Sequence, residues 1–97
     1  MLSAERKAHM INSLKNDYVI LTDVVIETIG DISSDMYFTG ELHQGDIEEL
    51  ASLRAAYALN MRHNPEKAVD IIEKIFELRD RYDLARAALG SHLPLNA

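Results

Sequence analysis

The 97-residue sequence predicts an all-α fold, a small three-helix bundle with antiparallel neighbours that assembles as a homodimer. Apolar residues recur three and four positions apart over most of the chain, as one face of a helix requires. Start and stop signals bound two of the periodic segments, and short connections favour antiparallel packing. We expect a single helical domain over residues 1–97, with helices at about 3–30, 46–62 and 65–89. The segment 31–45 is irregular or holds a short fourth helix.

The first predicted helix begins after Ser3, a residue type that caps helix N-termini, with Glu5 in the first turn. Its apolar stripe supports a helix, but the run YVILTDVVIETI is rich in β-branched residues that suit strands. The alternative to a helix over 18–29 is therefore a hairpin through Thr22 and Asp23. The stripe consists of Ile11, Leu14, Tyr18, Leu21, Val25, Ile29 and Ile32.

The segment GDISSDMYFTGELHQGD interrupts the periodicity between Gly30 and Asp46. Because long structureless loops are uncommon in compact domains, a short helical turn starting at Ser33 or Ser34 is expected there. That turn would bury Met36 together with Tyr37 or Phe38. The functional alternative is that Tyr37 and Phe38 are exposed as a docking pair.

The second and third helices have clearer boundary signals. Asp46 precedes Glu49 by three residues, a variant of the capping box that predicts a helix start. Asn64 and Pro65 suit the N-cap and first position of the third helix, and Gly90 predicts its end.

Residues from about 49 to 93 resemble part of a tetratricopeptide array, in which a small residue and a Leu-Gly pair recur. Here Ala68 matches the small residue, and Leu89 with Gly90 matches the pair. The departures are Ser52 and Arg86 at the aromatic position, Leu59 and Leu93 at the tyrosine position, and Asp80 at the closing proline. The resemblance implies antiparallel helices that pack through small residues, and it identifies no family.

The third helix carries a seam of apolar residues three and four apart, as in a coiled coil: Ala68, Ile71, Ile75, Leu78, Tyr82, Ala85 and Leu89. A second apolar row beside it becomes polar after Phe76, so the later half needs only one covering helix. That helix belongs either to the same chain or to a second subunit. The predicted dimer or partner interface comprises Ile75, Leu78, Tyr82, Ala85 and Leu89, together with Tyr37 and Phe38. On the outer side, Asp70 with Lys74 and Glu77 with Arg81 have the spacing of ion pairs within one helix.

Charge is unevenly distributed along the chain. The net charge is −6, and the interval 16–53 contains nine acidic residues and no Lys or Arg, a local charge of −9. We expect an acidic face formed by Asp23, Glu27, Asp31 and Asp35. Such a run is either a solvated surface or a surface that recognises a basic partner, including by imitating nucleic acid.

The sequence lacks the residues that several classes of function require. The chain has no cysteine, its four histidines are dispersed, and its glycines fit no phosphate-binding loop. Asp31, Ser33 and Asp35 match calcium-loop positions, but Met36 and Leu42 replace the required glycine and glutamate. We therefore predict no enzyme activity, no cofactor and no metal.

The remaining prediction is a non-enzymatic regulatory or adaptor protein that acts through protein contacts. It is expected in the cytoplasm, because neither a secretory leader nor a membrane-spanning run is evident. The alternative is a DNA-binding transcriptional regulator with a helix-turn-helix-like unit in 46–80. Nucleic acid is the less favoured partner, because acids such as Glu66 and Asp70 are as frequent as bases on the helix that would enter the groove.

Overall fold

The part of the chain that the structure describes folds into four α-helices. The computed structural model describes residues 1–39 and 44–92, and within them lie α1 (Ala4–Asn16), α2 (Tyr18–Thr39), α3 (Gln44–Asn60) and α4 (Pro65–His92). The described residues form helices and no strand, which confirms the all-α helical bundle. The hairpin alternative through Thr22 and Asp23 is wrong, since both residues lie within α2.

The predicted helix over 3–30 is two helices that meet at Asp17. The backbone of Asp17 is extended, with φ −157° and ψ 99°, and its N–H still donates to the Ser13 carbonyl at 2.8 Å. Its carboxylate accepts from the N–H of Val19 at 3.0 Å. Asp17 thus ends α1 and caps the start of α2, which corrects the single long helix expected from the apolar stripe. The Ser3 cap is confirmed, since its hydroxyl accepts from the N–H of Arg6 at 3.1 Å.

Helix α2 continues through Gly30 to Thr39, so the prediction of an irregular segment or short turn after residue 30 is wrong up to Thr39. The residues that hold it in place are Ile32 and Met36, which are buried in the core. Their burial outweighs the helix cost of a glycine, about 1 kcal/mol. Thr28 is also buried, and its hydroxyl donates to the Val24 carbonyl at 2.8 Å, so a β-branched polar residue fits inside this helix.

Helix α3 begins at Gln44, two residues before the predicted start. The carboxylate of Asp46 accepts from Arg81 at 2.9 Å and from the Tyr82 hydroxyl at 2.6 Å. The predicted capping residue therefore ties α3 to α4.

Helix α4 begins at Pro65, as predicted, and Asn64 caps it by accepting from the N–H of Lys67 at 3.4 Å. The predicted stop at Gly90 is wrong, because the helix runs on to His92.

The helices are arranged around α4, which packs against α1, α2 and α3. Helix α1 runs antiparallel to α4: the backbone N–H of Leu2 lies 2.8 Å from a Glu73 carboxylate oxygen, and Lys7 pairs with Glu73 at 3.1 Å and Asp70 at 3.7 Å. Helices α2 and α4 make the most extensive contact and run parallel, since both are antiparallel to α3. Helix α1 covers only the first part of this pair, so the bundle has four helices at one end and three at the other.

One hydrophobic core joins the helices, and α4 contributes the largest share of it. The largest of the fully buried side chains are Val25 and Ile32 from α2 and Val69, Ile72, Ile75 and Leu78 from α4.

Candidate functional site

The outer face of α2 is unusually apolar for a surface. Ile20 and Ile26 are 66% and 61% exposed, and Val19 and Val24 are also exposed. Isolated exposed apolar residues are ordinary, but four within two turns of one helix form a patch of the kind that marks interaction sites. We call Val19, Ile20, Val24 and Ile26 the α2 patch.

Three of the four predicted acidic residues lie on the same outer face, and Asp23 and Glu27 fall between the edge that Val19 and Ile26 form and the edge that Ile20 and Val24 form. Asp23, Glu27 and Asp31 are exposed, and none of them pairs with a basic side chain in the part of the chain that the structure describes. Asp35 differs: it is only 4% exposed and has an interaction partner. The acidic face on the surface is therefore Asp23, Glu27 and Asp31, without Asp35.

A groove separates α2 from α3 at the three-helix end. Of the helix pairs in contact, α2 and α3 touch least, and between them lies an open cavity of ≈ 300 Å³. Ser33 and Arg54 are the polar and charged residues on its wall. The apolar lining is Ile29, Met36 and Tyr37 from α2 and Ile47, Leu50 and Ala51 from α3.

The other end of the α2–α3 pair is closed by polar contacts. The hydroxyls of Thr22 and Tyr57 lie 2.8 Å apart, and Arg62 donates to the Tyr18 hydroxyl at 2.6 Å. The Arg62 guanidinium also lies 4.6 Å from the centre of the Tyr18 ring. Burial raises the pKa of Tyr57, partly offset by the hydrogen bond with Thr22, so Tyr57 stays a neutral structural group. These contacts hold α2 and α3 together here, so the groove lies nearer the end of α2 and the start of α3.

The predicted seam on α4 lies largely inside the chain. Ile75, Leu78 and Tyr82 are buried among the protein's own helices, and Ala85 is half-buried. The side chain of Leu89 lies outside the described residues. The first three positions thus have no surface to offer a second subunit, because α2 and α3 of the same chain cover them.

The predicted aromatic pair is only partly placed. Tyr37 is 80% exposed at the rim of the groove, so within the burial alternative only Phe38 is left to be buried with Met36. The side chain of Phe38 lies outside the described residues. Met36 is buried, as expected.

Away from the groove, Lys7 and Glu73 form an ionisable cluster near the start of the chain, and its role is structural. The hydrogen bond from the Leu2 N–H, followed by that from Lys7, holds the pKa of Glu73 below its usual value, and the same Lys7–Glu73 contact raises the pKa of Lys7. Within residues 1–39 and 44–92, no group of three His, Asp or Glu side chains is arranged to hold a metal ion. His9 and His63 are exposed, and His43 and the His92 side chain lie outside the described residues.

The segment 46–80, predicted as an alternative DNA-binding unit, is the antiparallel hairpin of α3 and α4. A recognition helix must be accessible along one face, and α4 keeps an exposed face although it packs against the other three helices. Its exposed residues after Asn64 include Glu66 and Asp70, and Asp70 already pairs with Lys7.

Sequence reasoning missed the α2 patch and the groove. A signal for the patch was present, because Val19, Ile20, Val24 and Ile26 are apolar and lie off the stripe that leads from Tyr18 to Ile32. One helix cannot bury its whole circumference when only three neighbours pack against one side of it. The groove had no comparable signal, since it depends on how far α2 and α3 diverge.

Comparison of the chain with protein-family models, curated proteins and solved structures finds no match. In the described part of the chain, none of the helices combines the length and the hydropathy that crossing a bilayer requires.

Proposed function

We propose that this protein is a non-enzymatic adaptor or regulator that binds another protein through the outer face of α2. The observation that supports the proposal is the α2 patch together with Asp23, Glu27 and Asp31 on the same exposed face. Covering a large exposed aliphatic side chain contributes up to about 1.5–3 kcal/mol, so the patch can supply affinity. The unpaired acids among these apolar residues supply specificity for a basic surface and faster association.

The acids also bear on the choice between a foreign partner and a second copy. A two-fold interface centred on the α2 patch would place Asp23 and Glu27 of one copy close to the same residues of the other. Repulsion between these like charges disfavours that arrangement, so the favoured partner is a different protein with a basic surface. The homodimer and the cytoplasmic location predicted from the sequence stay predictions.

Photocrosslinking in the native cell tests the proposal. A photoreactive amino acid replaces Ile20 or Ile26 on α2, and Lys74, exposed on α4, serves as the matched control position. We expect a protein adduct, identified by mass spectrometry, from both α2 positions and not from position 74. Absence of an adduct at both α2 positions, or equal adducts at all three, would contradict the proposal.

Neutralising the acids gives a second readout of the same surface. With Asp23→Asn, Glu27→Gln and Asp31→Asn combined, the adduct yield at position 26 should fall, and it should fall further as salt rises. An unchanged yield and an unchanged salt response would remove the acidic face from the proposed function.

A further inference from the structure

We infer that the groove between α2 and α3 holds one amphipathic helix of a partner protein, with Lys or Arg along the edge that faces α2. The inference deepens the proposed function and rests on it. It specifies the partner's secondary structure, its charge pattern and its binding site on this protein.

The groove has the floor and the rim that a helix needs. Its floor includes Met36 and Leu50, which are buried, whereas Tyr37 and Ile47 at its rim are exposed and can close over a bound side chain. An amphipathic helix binds such a groove by inserting apolar residues three and four apart. The ≈ 300 Å³ of open space lies where those anchors would enter.

The apolar surface continues from the groove along α2. Val19, Ile26 and Ser33 are spaced by seven residues, so they lie on one line of the helix, and Tyr37 follows one turn after Ser33. The distance from Val19 to Tyr37 along the axis is about 27 Å, at about 1.5 Å for each residue. A partner helix of about 18 residues matches that length.

Charge selects the partner helix. Asp23 and Glu27 occupy the next line of α2 outward from Val19 and Ile26, so they border the apolar line on its solvent side. Arg54 stands on the opposite wall, on α3. A helix with basic residues on one edge of its apolar stripe and none on the other complements both walls, whereas an acidic helix would meet Asp23 and Glu27.

The probe is a fluorescein-labelled 18-residue peptide with leucines at helical spacing and lysines along one edge of the leucine stripe. Binding to the full chain is followed by fluorescence anisotropy and by the methyl NMR shifts of Ile29 and Ile47. We expect saturable binding that moves both methyl signals and weakens with salt. The same peptide with glutamate in place of lysine should bind at least about tenfold more weakly.

Two charge-matched variant pairs locate the binding. Ala51→Arg places a bulky cation in the groove, whereas Ser52→Arg places the same side chain about 100° around the exposed surface of α3. Ala51→Arg should weaken the lysine peptide about tenfold and Ser52→Arg by less than about twofold. Asp23→Asn with Glu27→Gln should weaken it about fivefold, and Glu48→Gln with Glu49→Gln, which removes two charges outside the groove, by less than about twofold.

Equal weakening within each pair would mean general attraction to an acidic protein and would overturn the inference. A dimer of the free chain, seen by sedimentation and dissociated by the peptide, would assign the groove to a second copy and overturn it as well. Crosslinking of a partner at Ile20 and Ile26 without peptide binding in the groove would retain the proposed function and reject this inference alone.

Discussion

Helices α2 and α4 run parallel and pack on each other, yet their outer faces differ in kind. Between residues 66 and 81, every exposed position of α4 is charged, with four acids and three bases: Glu66, Lys67, Asp70, Lys74, Glu77, Asp80 and Arg81. Between residues 19 and 31, α2 exposes the four apolar residues of its patch and three acids with no base. A face of mixed charge is typical of a helix that is exposed only to solvent. An apolar face that also carries charge of one sign is typical of a helix that binds a partner.

The largest expected effect contrasts the inner face of α4 with the outer face of α2. Leu78→Ala should lower the free energy of unfolding by about 3 kcal/mol, because it leaves a cavity in a fully buried position. Ile26→Ala should change it by less than about 0.5 kcal/mol, since water already surrounds most of that side chain. Urea denaturation at pH 7 measures both, and a loss of more than about 1.5 kcal/mol for Ile26→Ala would show that the patch is structural.

The next effect concerns the link between α3 and α4. Asp46→Ala removes the acceptor of both the Arg81 and the Tyr82 hydrogen bonds and should cost about 2 kcal/mol. Tyr82→Phe leaves the Arg81 contact in place and should cost about 1 kcal/mol. Thermal and urea unfolding check the order, and Glu48→Ala in the same helix is the control. If the two variants cost the same, Arg81 contributes nothing to the link.

A smaller effect depends on pH at the α1 end of the bundle. Because the folded-state pKa of Glu73 is depressed, its contribution to stability is fully present above the unfolded-state pKa of about 4.3 and is lost as the pH falls through the lower folded value. The melting temperature of Glu73→Gln should therefore lie below that of the parent at pH 6 and converge with it as the pH falls through the lowered folded-state pKa of Glu73. A constant difference across this range would mean that Glu73 acts through packing and not through its charge.

The smallest expected effect lies on α2 itself. Asp23 and Glu27 are one turn apart with like charge, so Asp23→Asn should raise the stability of the free protein by about 0.2–0.5 kcal/mol. The same substitution should weaken partner binding, so stability and binding move in opposite directions. On α4, Lys74→Gln is the comparison: there we expect no measurable gain in stability. A loss of stability in Asp23→Asn would point to a structural role for this carboxylate.

The elements that the sequence predicted best are those with local chemical signals. Asn64 and Pro65 specify the start of α4 through local capping, without any tertiary contact, and Ser3 does the same for α1. The break at Asp17 and the continuations through Gly30 and Gly90 were missed. Tertiary packing explains the case of Gly30, because the burial of Ile32 and Met36 holds α2 helical beyond a residue that favours stopping. Asn16-Asp17 was nonetheless a local signal of a break, since Asp favours the N-cap.

The predicted ion pairs failed for a related reason, and the same reason left open which helix covers the seam. Spacing predicted Asp70 with Lys74 and Glu77 with Arg81, but Asp70 pairs with Lys7 and Arg81 with Asp46, both across helices. The seam of Ile75, Leu78 and Tyr82 was identified correctly as apolar and continuous, and its intrachain alternative describes where the fold places it. Periodicity shows that a face must be covered, but only the fold shows by which helix.

The central position of α4 has a consequence for synthesis. Helices α1, α2 and α3 all pack on a helix that follows them in the chain, so a nascent chain cannot complete its core until residues up to about Tyr82 have left the ribosome. Until then the apolar faces of the earlier helices are open to chaperones and to other nascent chains. A fragment ending at Arg62 should accordingly lack a cooperative thermal transition by circular dichroism, and folding of the whole chain is expected in one late step.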